Sequence, residues 1–262
     1  MYETSYHRAD SVADAASKIG DEGKYLAGGM TLLPTMKQRL AAPDTLVDLT
    51  HIGDLKGVSV NGKEVRIGAM TTHAEVNGDA ALQSACPSLA KLAGGIGDPA
   101  VRHRGTIGGS IANHDPAADY PAAMLALNAT IHTDSREISA DDFFSGMFET
   151  ALNEGEIVTA ISFTAPDKGA YEKFRNPASR YAMAGVFVAD HGGDVRVGVS
   201  GAYSNGASRN SEMETALSGN LSADALDGVA VDAGDMLSDI HGSSDYRAHL
   251  VKVMAKRAVA AM

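Results

Sequence analysis

The sequence predicts an α+β fold made of two successive domains. Up to residue 166, short apolar strands alternate with helical segments, and two glycine pairs interrupt them. The tetrapeptide Pro166-Asp167-Lys168-Gly169 is then the strongest turn signal in the chain. After it, two apolar runs flank the pair Gly192-Gly193, and an amphipathic helix ends the sequence. We therefore expect one domain over residues 1–166 and a smaller one, with an antiparallel sheet and helices, over residues 167–262.

The first domain is predicted to begin with a small β-α-β unit that packs on a second one. Ser11 precedes apolar residues at helical spacing and Gly20 follows them, which is typical of a capped helix over 12–19. A Ser139-x-x-Asp142 pair is a second helix cap. The remaining predicted elements are a strand at 24–27, a helix at 35–40, strands at 46–49 and 65–70, a helical stretch at 72–97 broken near Pro87, a helix at 122–127, and strands at 130–133 and 157–163.

The second domain is predicted to contain a β-hairpin and two helices. Apolar runs at 182–189 and 195–200 form the hairpin around His191-Gly192-Gly193. A helix is expected at 208–218. Ser243 or Ser244 caps the C-terminal helix, whose apolar side carries Leu250, Val253, Met254 and Val259.

The composition excludes several classes of protein. The 262 residues carry 22 Lys and Arg against 33 Asp and Glu, and this net charge of −11, without a basic cluster, argues against nucleic-acid binding. No apolar run is long enough to span a membrane, and the N-terminus lacks the apolar core of a signal peptide. One cysteine, Cys86, excludes an internal disulfide and a self-contained iron-sulfur cluster. We expect a cytoplasmic protein.

Two glycine loops are the candidate binding elements. Rossmann, P-loop, zinc and serine-hydrolase motifs are absent. The segments 27–32 and 106–110 each place a glycine pair before a helix, where backbone N–H groups could converge on a pyrophosphate. Two such loops, about 80 positions apart, would suit an elongated dinucleotide between two subdomains. The alternative is that each glycine pair only marks a tight turn.

The same segments resemble a known family. The resemblance lies in three segments: Ala27-Gly28-Gly29-Met30-Thr31-Leu32-Leu33-Pro34, Arg104-Gly105-Thr106-Ile107-Gly108-Gly109-Ser110 and Asp115-Pro116-Ala117-Ala118-Asp119. Together these segments are similar to the FAD-binding medium subunit of molybdenum hydroxylases, as in aerobic carbon-monoxide dehydrogenase and xanthine dehydrogenase. The resemblance continues through Glu172-Lys173-Phe174-Arg175 and Arg180-Tyr181 to His241-Gly242-Ser243-Ser244-Asp245-Tyr246-Arg247. It implies a vanillyl-alcohol-oxidase (PCMH) type FAD domain with two α/β subdomains, about 1–55 and 56–166, followed by the C-terminal domain.

The resemblance also implies which residues bind the cofactor. The first loop would hold the pyrophosphate, the second would hold its other side and approach the flavin, and an acid, a lysine and a tyrosine would lie at the flavin end. No catalytic residue or metal ligand is expected on this chain. The matching positions are Ala27, Gly28, Gly29, Met30, Thr31, Leu32, Thr106, Gly108, Gly109, Ser110, Asn113, Asp115, Asp119, Lys173 and Tyr181.

Five side chains in this set have an ordinary alternative role. Asp119 could be a helix cap before Tyr120-Pro121. Asn113 and Asp115 could belong to an Asp-Pro turn. Lys173 could be an extended surface lysine on a strand, and Tyr181 could be a core residue.

The chain departs from the family's pattern at two places. Met30 stands where relatives often have His, and Ala100-Val101-Arg102-His103 replaces a more usual Gln-Val/Ile-Arg-Asn. Backbone contacts should survive both changes, whereas side-chain tuning of the flavin need not. A covalent flavin link is conceivable at five further side chains, for which surface or core positions are the favoured interpretation: His51, His73, His103, His114 and Cys86.

The resemblance implies an electron-transfer subunit. FAD on this chain would receive electrons from [2Fe-2S] clusters of a small partner, after substrate has reacted at the molybdenum cofactor of a large partner, in a dimer of heterotrimers. The benzoyl-CoA reductase branch is disfavoured because its cysteine-bearing insertion is absent. Two alternatives stay open: a self-sufficient FAD oxidase or dehydrogenase, and a non-catalytic nucleotide-binding module.

Overall fold

A computed structural model describes all residues from 1 to 262. It contains fourteen strands and eleven α-helices, together with three short 3-10 turns. The strands are β1 Ser5–Arg8, β2 Lys24–Leu26, β3 Thr45–Asp48, β4 Val58–Asn61, β5 Glu64–Gly68, β6 Thr130–Thr133, β7 Glu137–Ser139, β8 Phe144–Gly146, β9 Glu149–Thr150, β10 Val158–Thr164, β11 Lys168–Arg175, β12 Ala182–His191, β13 Asp194–Ser200 and β14 Ser208–Arg209. The helices are α1 Val12–Lys18, α2 Leu32–Lys37, α3 His73–Gly78, α4 Ala80–Ala85, α5 Pro87–Gly94, α6 Pro99–Arg102, α7 Ile107–Asn113, α8 Tyr120–Ala126, α9 Ala140–Phe143, α10 Ser211–Gly219 and α11 Ser244–Ala260.

Three sheets form the framework, and with the helices they confirm the α+β fold class. The first sheet has the order β1-β3-β2, and both of its pairings are parallel, as a β-α-β unit requires. The second sheet, β4-β5-β10-β6-β7, is antiparallel throughout, so the prediction of a second β-α-β unit is wrong. The third sheet, β11-β12-β13-β14, is also antiparallel.

The buried side chains connect the second and third sheets. The largest core cluster combines residues of β5, β6 and β10 and of helices α5, α7 and α8 with Tyr171 and Phe187 from the third sheet. A second cluster lies between β12, β13 and helices α10 and α11. A small third cluster lies under the parallel sheet and α1. None of the helices is both long and apolar enough to cross a lipid bilayer.

Local signals confirm several predicted elements. Ser11 accepts the Asp14 N–H at the start of α1, and Ser139 accepts the Asp142 N–H at the start of α9. The predicted hairpin is formed by β12 and β13, with positive φ at both turn glycines. Ser243, rather than Ser244, caps the C-terminal helix.

Three predicted helices differ in their limits. The helix expected at 35–40 begins at Leu32, because Pro34 is tolerated in a first turn, where N–H groups have no partner within the helix. The stretch at 72–97 breaks at Asp79 as well as before Pro87, since the Asp79 side chain caps α4. The helix expected from 208 begins at Ser211, after the short strand β14 and the cap Asn210.

Candidate functional site

A cleft of about 560 Å³ runs along the two glycine loops. Its volume is within the usual range of small-molecule and cofactor sites. Fourteen of the fifteen predicted cofactor-binding residues line it, although they come from three separate parts of the chain. Apolar side chains such as Leu49, Met70, Val101 and Val158 complete the walls. The exception is Lys173, which lies behind the wall.

The two glycine loops touch each other directly. A Cβ added to Gly28 would lie 2.0 Å from the carbonyl oxygen of Arg104, a distance at which no side chain fits. A Cβ added to Gly109 would lie 3.3 Å from the Ala27 Cβ. The loops therefore form one continuous wall, which the tight-turn interpretation of either glycine pair does not require.

The first loop leaves its backbone donors free. None of the N–H groups from Ala27 to Leu32 donates a hydrogen bond to any acceptor within the protein. Only at Leu33 does bonding resume, to the Gly29 carbonyl. Residues 27–32 are partly or fully exposed, so these six successive N–H groups can take an acceptor from outside the protein, which suits an anionic or strongly accepting group.

Most backbone N–H groups of the second loop donate to acceptors within the protein. This is contrary to the expectation that both loops present free backbone N–H groups. Ile107 and Gly108 donate to the Thr71 and Ala69 carbonyls, at 3.1 and 2.8 Å. Gly109 donates to the Thr106 hydroxyl, which caps α7. What this loop offers to the cleft is the hydroxyls of Thr106 and Ser110 and the bare surface of its glycines.

One end of the cleft is polar and carries a buried ion pair. Lys173 Nζ lies 2.8 and 3.0 Å from the two carboxylate oxygens of Asp119, and both side chains are only 5% exposed. The Tyr171 hydroxyl also donates to Asp119 Oδ1, at 2.5 Å. Burial, and next the charge of Asp119, raises the pKa of Tyr171 well above its usual value, so its hydroxyl stays a donor. Asp119 is thus held from behind while it faces the cleft, and the charge of Lys173 is neutralised by it.

The geometry resolves several of the alternatives. Asp119 occupies the cap position of α8, yet its side chain accepts no capping hydrogen bond. Asp115 does form the local turn, accepting the Ala117 N–H, and also lines the cleft. Tyr181 is 49% exposed at the rim and is not a core residue. Burial, and next the charges of Asp115 and Asp119, raises the pKa of Tyr181.

His73 is a buried histidine of the cleft wall that the sequence analysis named only as a conceivable covalent link. Its side chain is 5% exposed, and its Nδ1 is buried without a hydrogen-bond partner. Burial, followed by the positive charge of Arg102, lowers the pKa of His73 to about 4, so the ring is neutral. Its backbone N–H donates to the Gly105 carbonyl, which anchors the second loop. No local signal in the sequence identifies this residue, because its neighbours lie about 30 positions away.

The other candidates for a covalent link lie away from the cleft. His51 and His103 are exposed, and Cys86 is buried in the core beside Ser88. His114 is buried with both ring nitrogens bonded, Nδ1 donating to the Glu149 carbonyl and Nε2 accepting from the Ala207 N–H. Met30, at the family's frequent histidine position, is 39% exposed in the cleft wall.

The residues of the cleft fit a bound dinucleotide. The free N–H groups of the first loop suit a pyrophosphate, the missing Cβ of Gly28 keeps the wall open, and the unbonded hydroxyl of Ser110 is a further donor. The apolar walls suit aromatic rings. This arrangement is what the FAD-binding interpretation of the sequence requires.

Comparison with known proteins gives the family. Residues 2–166 match the FAD-binding domain in molybdopterin dehydrogenase. The chain belongs to this family. It is 38% identical to the carbon monoxide dehydrogenase medium chain of Afipia carboxidovorans, across 97% of this chain and 94% of that one. It is 35% identical to the glyceraldehyde dehydrogenase medium chain of Sulfolobus acidocaldarius, across 98% and 97%.

Solved structures agree with this assignment. A chain of reconstituted CO dehydrogenase from Oligotropha carboxidovorans superposes with a TM-score of 0.90 at 36% identity, covering 99% of this chain and 98% of that one. The chain is therefore an FAD-binding oxidoreductase subunit of the medium-chain type found in molybdenum hydroxylases, and the resemblance read from the glycine loops is confirmed.

Proposed function

We propose that this chain is the electron-transfer subunit of a molybdenum hydroxylase and that FAD lies in the cleft described above. The single observation that carries the proposal is the run of six free backbone N–H groups, from Ala27 to Leu32, in a wall shared with the second glycine loop. We place the pyrophosphate of FAD against these groups. Bound FAD would supply the oxidation and reduction chemistry, since a flavin exchanges one or two electrons.

The chain's own residues would bind, orient and shield the cofactor. Thr106 and Ser110 would donate hydroxyl hydrogen bonds from the second loop, beside Gly108 and Gly109. We assign the polar end, with Asn113, Asp115 and Asp119, to the flavin ring, with Tyr181 at its exposed face. Lys173 would act on the flavin only through Asp119, because its ammonium group is paired with that carboxylate.

The proposal includes partners that hold the other cofactors. A small subunit with [2Fe-2S] clusters would deliver electrons to FAD, and a large subunit with the molybdenum cofactor would oxidise the substrate, in a cytoplasmic dimer of heterotrimers. The full-length match to medium chains of named dehydrogenases supports this arrangement. So does the single cysteine, because an iron-sulfur cluster needs about four. We also keep the division at residue 166 into an FAD domain and a C-terminal domain as part of the proposal.

The test is to purify the chain from its native cells with its partners attached. We expect a visible spectrum with flavin and iron-sulfur features and two co-purifying polypeptides, one larger and one smaller than this chain. A solitary yellow protein whose flavin is reduced by a small molecule would instead indicate a self-sufficient enzyme. A colourless protein that takes up no added FAD would overturn the cofactor assignment itself.

A further inference from the structure

Arg247 is a buried arginine on the C-terminal helix that links the strands behind the polar end of the cleft. Its side chain is 4% exposed. Nη1 donates to the carbonyl oxygens of Met183 and Gly201, at 2.9 and 2.7 Å, and Nη2 donates to Asp239 at 2.7 Å. Burying a guanidinium is costly unless its donors are paired. Here three acceptors from three segments pair Nη1 and Nη2, whereas Nε is buried without a partner.

The two carbonyls belong to segments that shape the cleft. Met183 is two residues after Tyr181, on the strand that carries that tyrosine to the rim. Gly201 follows β13, and its N–H donates to the Pro116 carbonyl at 2.7 Å. Pro116 lies between the cleft residues Asp115 and Asp119. One guanidinium thus joins the Tyr181 side and the Asp115–Asp119 side of the same opening.

The packing at this point leaves little room for other arrangements. A Cβ added to Gly201 would lie 2.2 Å from the Ala182 carbonyl, so β12 and the end of β13 are in direct backbone contact beside the arginine. Asp239 is itself held by the N–H groups of His241 and Gly242, which gives the guanidinium a fixed anchor.

We propose that Arg247 is a positioning residue for the cofactor, which sets Tyr181 and the Asp115–Asp119 segment at their mutual distance across the cleft. It does not line the cleft, and it acts through the carbonyls of Met183 and Gly201. The proposal rests on the proposed function in so far as the cleft binds FAD. A planar guanidinium can serve several acceptors in fixed directions, which a lysine cannot.

The experiment compares Arg247→Met and Arg247→Lys with the parent full-length chain. Arg209→Met is the matched control, because Arg209 also pairs with acidic side chains, Asp141 and Glu214, but lies outside the cleft wall. The chain contains no tryptophan, so Tyr181→Trp supplies a single fluorescent reporter at the rim. Each arginine variant is made with and without this reporter. Three quantities are measured: the Kd for FAD with Tyr181 intact, the acrylamide quenching of the reporter's fluorescence in the FAD-free chain, and the Tm.

We expect Arg247→Met to raise the Kd for FAD about tenfold or more, a loss of about 1.4 kcal/mol, and to increase the quenching of the reporter. Arg247→Lys should fall between this variant and the parent. Arg209→Met should lower the Tm while the Kd and the quenching stay as in the parent. The proposal is overturned if Arg247→Met lowers the Tm but changes neither the Kd nor the quenching.

The experiment also distinguishes two further outcomes, absence of FAD binding and failure of a variant to fold. If the parent chain binds no FAD, the proposed function fails, while the quenching of the reporter still decides whether Arg247 positions the rim. If Arg247→Met does not fold, Arg247→Lys takes its place, because it keeps the positive charge but cannot bond the Met183 and Gly201 carbonyls and Asp239 together. Unchanged quenching and unchanged FAD affinity in Arg247→Lys would then overturn the proposal.

Discussion

The two glycine loops look alike in the sequence, yet the structure gives them opposite hydrogen bonding. The loop at 27–32 has six successive N–H groups without an acceptor, whereas almost every N–H from Arg104 to Ser110 is bonded within the protein. The backbone N–H groups of the first loop are therefore available to a ligand, whereas those of the second loop hold it against its neighbours and leave its side-chain hydroxyls facing the cleft. Gly108 and Gly109 lie inside the first turn of α7, so a glycine pair near a helix N-terminus does not by itself indicate free backbone donors.

The largest loss of FAD binding is expected from a substitution at the contact between the two loops. Gly28→Val would drive its Cβ into the Arg104 carbonyl, so the loops must separate. We expect loss of detectable FAD binding and a decrease of about 1–3 kcal/mol in the free energy of unfolding, typical of overpacking. Flavin fluorescence titration and thermal unfolding measure both quantities. Gly228→Val is the control, since nothing lies near its Cβ position. Parent-like FAD affinity in Gly28→Val would show that the cleft does not depend on this contact.

The next effect concerns the buried histidine that anchors the second loop. His73 has its pKa lowered to about 4 by burial, and next by Arg102, from an ordinary value of 6.5. Between these pH values the unfolded chain binds a proton that the folded chain does not. The free energy of unfolding should therefore fall as the pH falls from 6.5 to 4, by about 3 kcal/mol at most.

Urea unfolding of the parent and of His73→Leu across this pH range tests that prediction. The variant should lack this component of the slope, while a His103→Leu control, at an exposed position, should keep it. Equal slopes for the parent and His73→Leu would contradict the neutral, buried state of the ring.

A pair of threonines tests the comparison directly. The Thr106 hydroxyl accepts the Gly109 N–H and caps α7, whereas Thr31 occupies the cap position of α2 without a capping hydrogen bond. Thr106→Val should lower the free energy of unfolding by about 1 kcal/mol, as expected for a lost cap. Thr31→Val should leave it nearly unchanged. Urea denaturation of both variants gives the answer, and equal losses would remove the distinction between the loops.

The smallest effect is expected at Ser110. Its hydroxyl forms no hydrogen bond within the protein and lines the cleft. Ser110→Ala should leave the Tm unchanged and weaken FAD binding about two- to tenfold, the range for one lost hydrogen bond. Isothermal titration with FAD measures this change. An unchanged affinity would place the cofactor away from α7.

Features that depend on residues close together in the sequence were predicted correctly, whereas features that depend on distant residues were not. The caps at Ser11 and Ser139 and the Gly192-Gly193 hairpin depend on neighbouring residues, and all three were correct. Helix α7 begins earlier than expected and includes Gly108 and Gly109 instead of following them, because packing supports a glycine pair that would otherwise oppose helix formation. The pairing of Asp119 with Lys173 joins residues 54 positions apart, and no local pattern reports it.

The sequence by itself determined the family, the α+β class and fourteen of the residues that line the cleft, because the glycine loops and their order are specific. Only the tertiary structure decided which loop keeps its N–H groups free, that Asp119 neutralises Lys173, and that His73 belongs to the wall. The reason is physical. A backbone N–H is free or bonded according to whether another segment brings a carbonyl to it, and the acceptors of the second loop at Ala69 and Thr71 arrive from over 30 residues earlier in the chain.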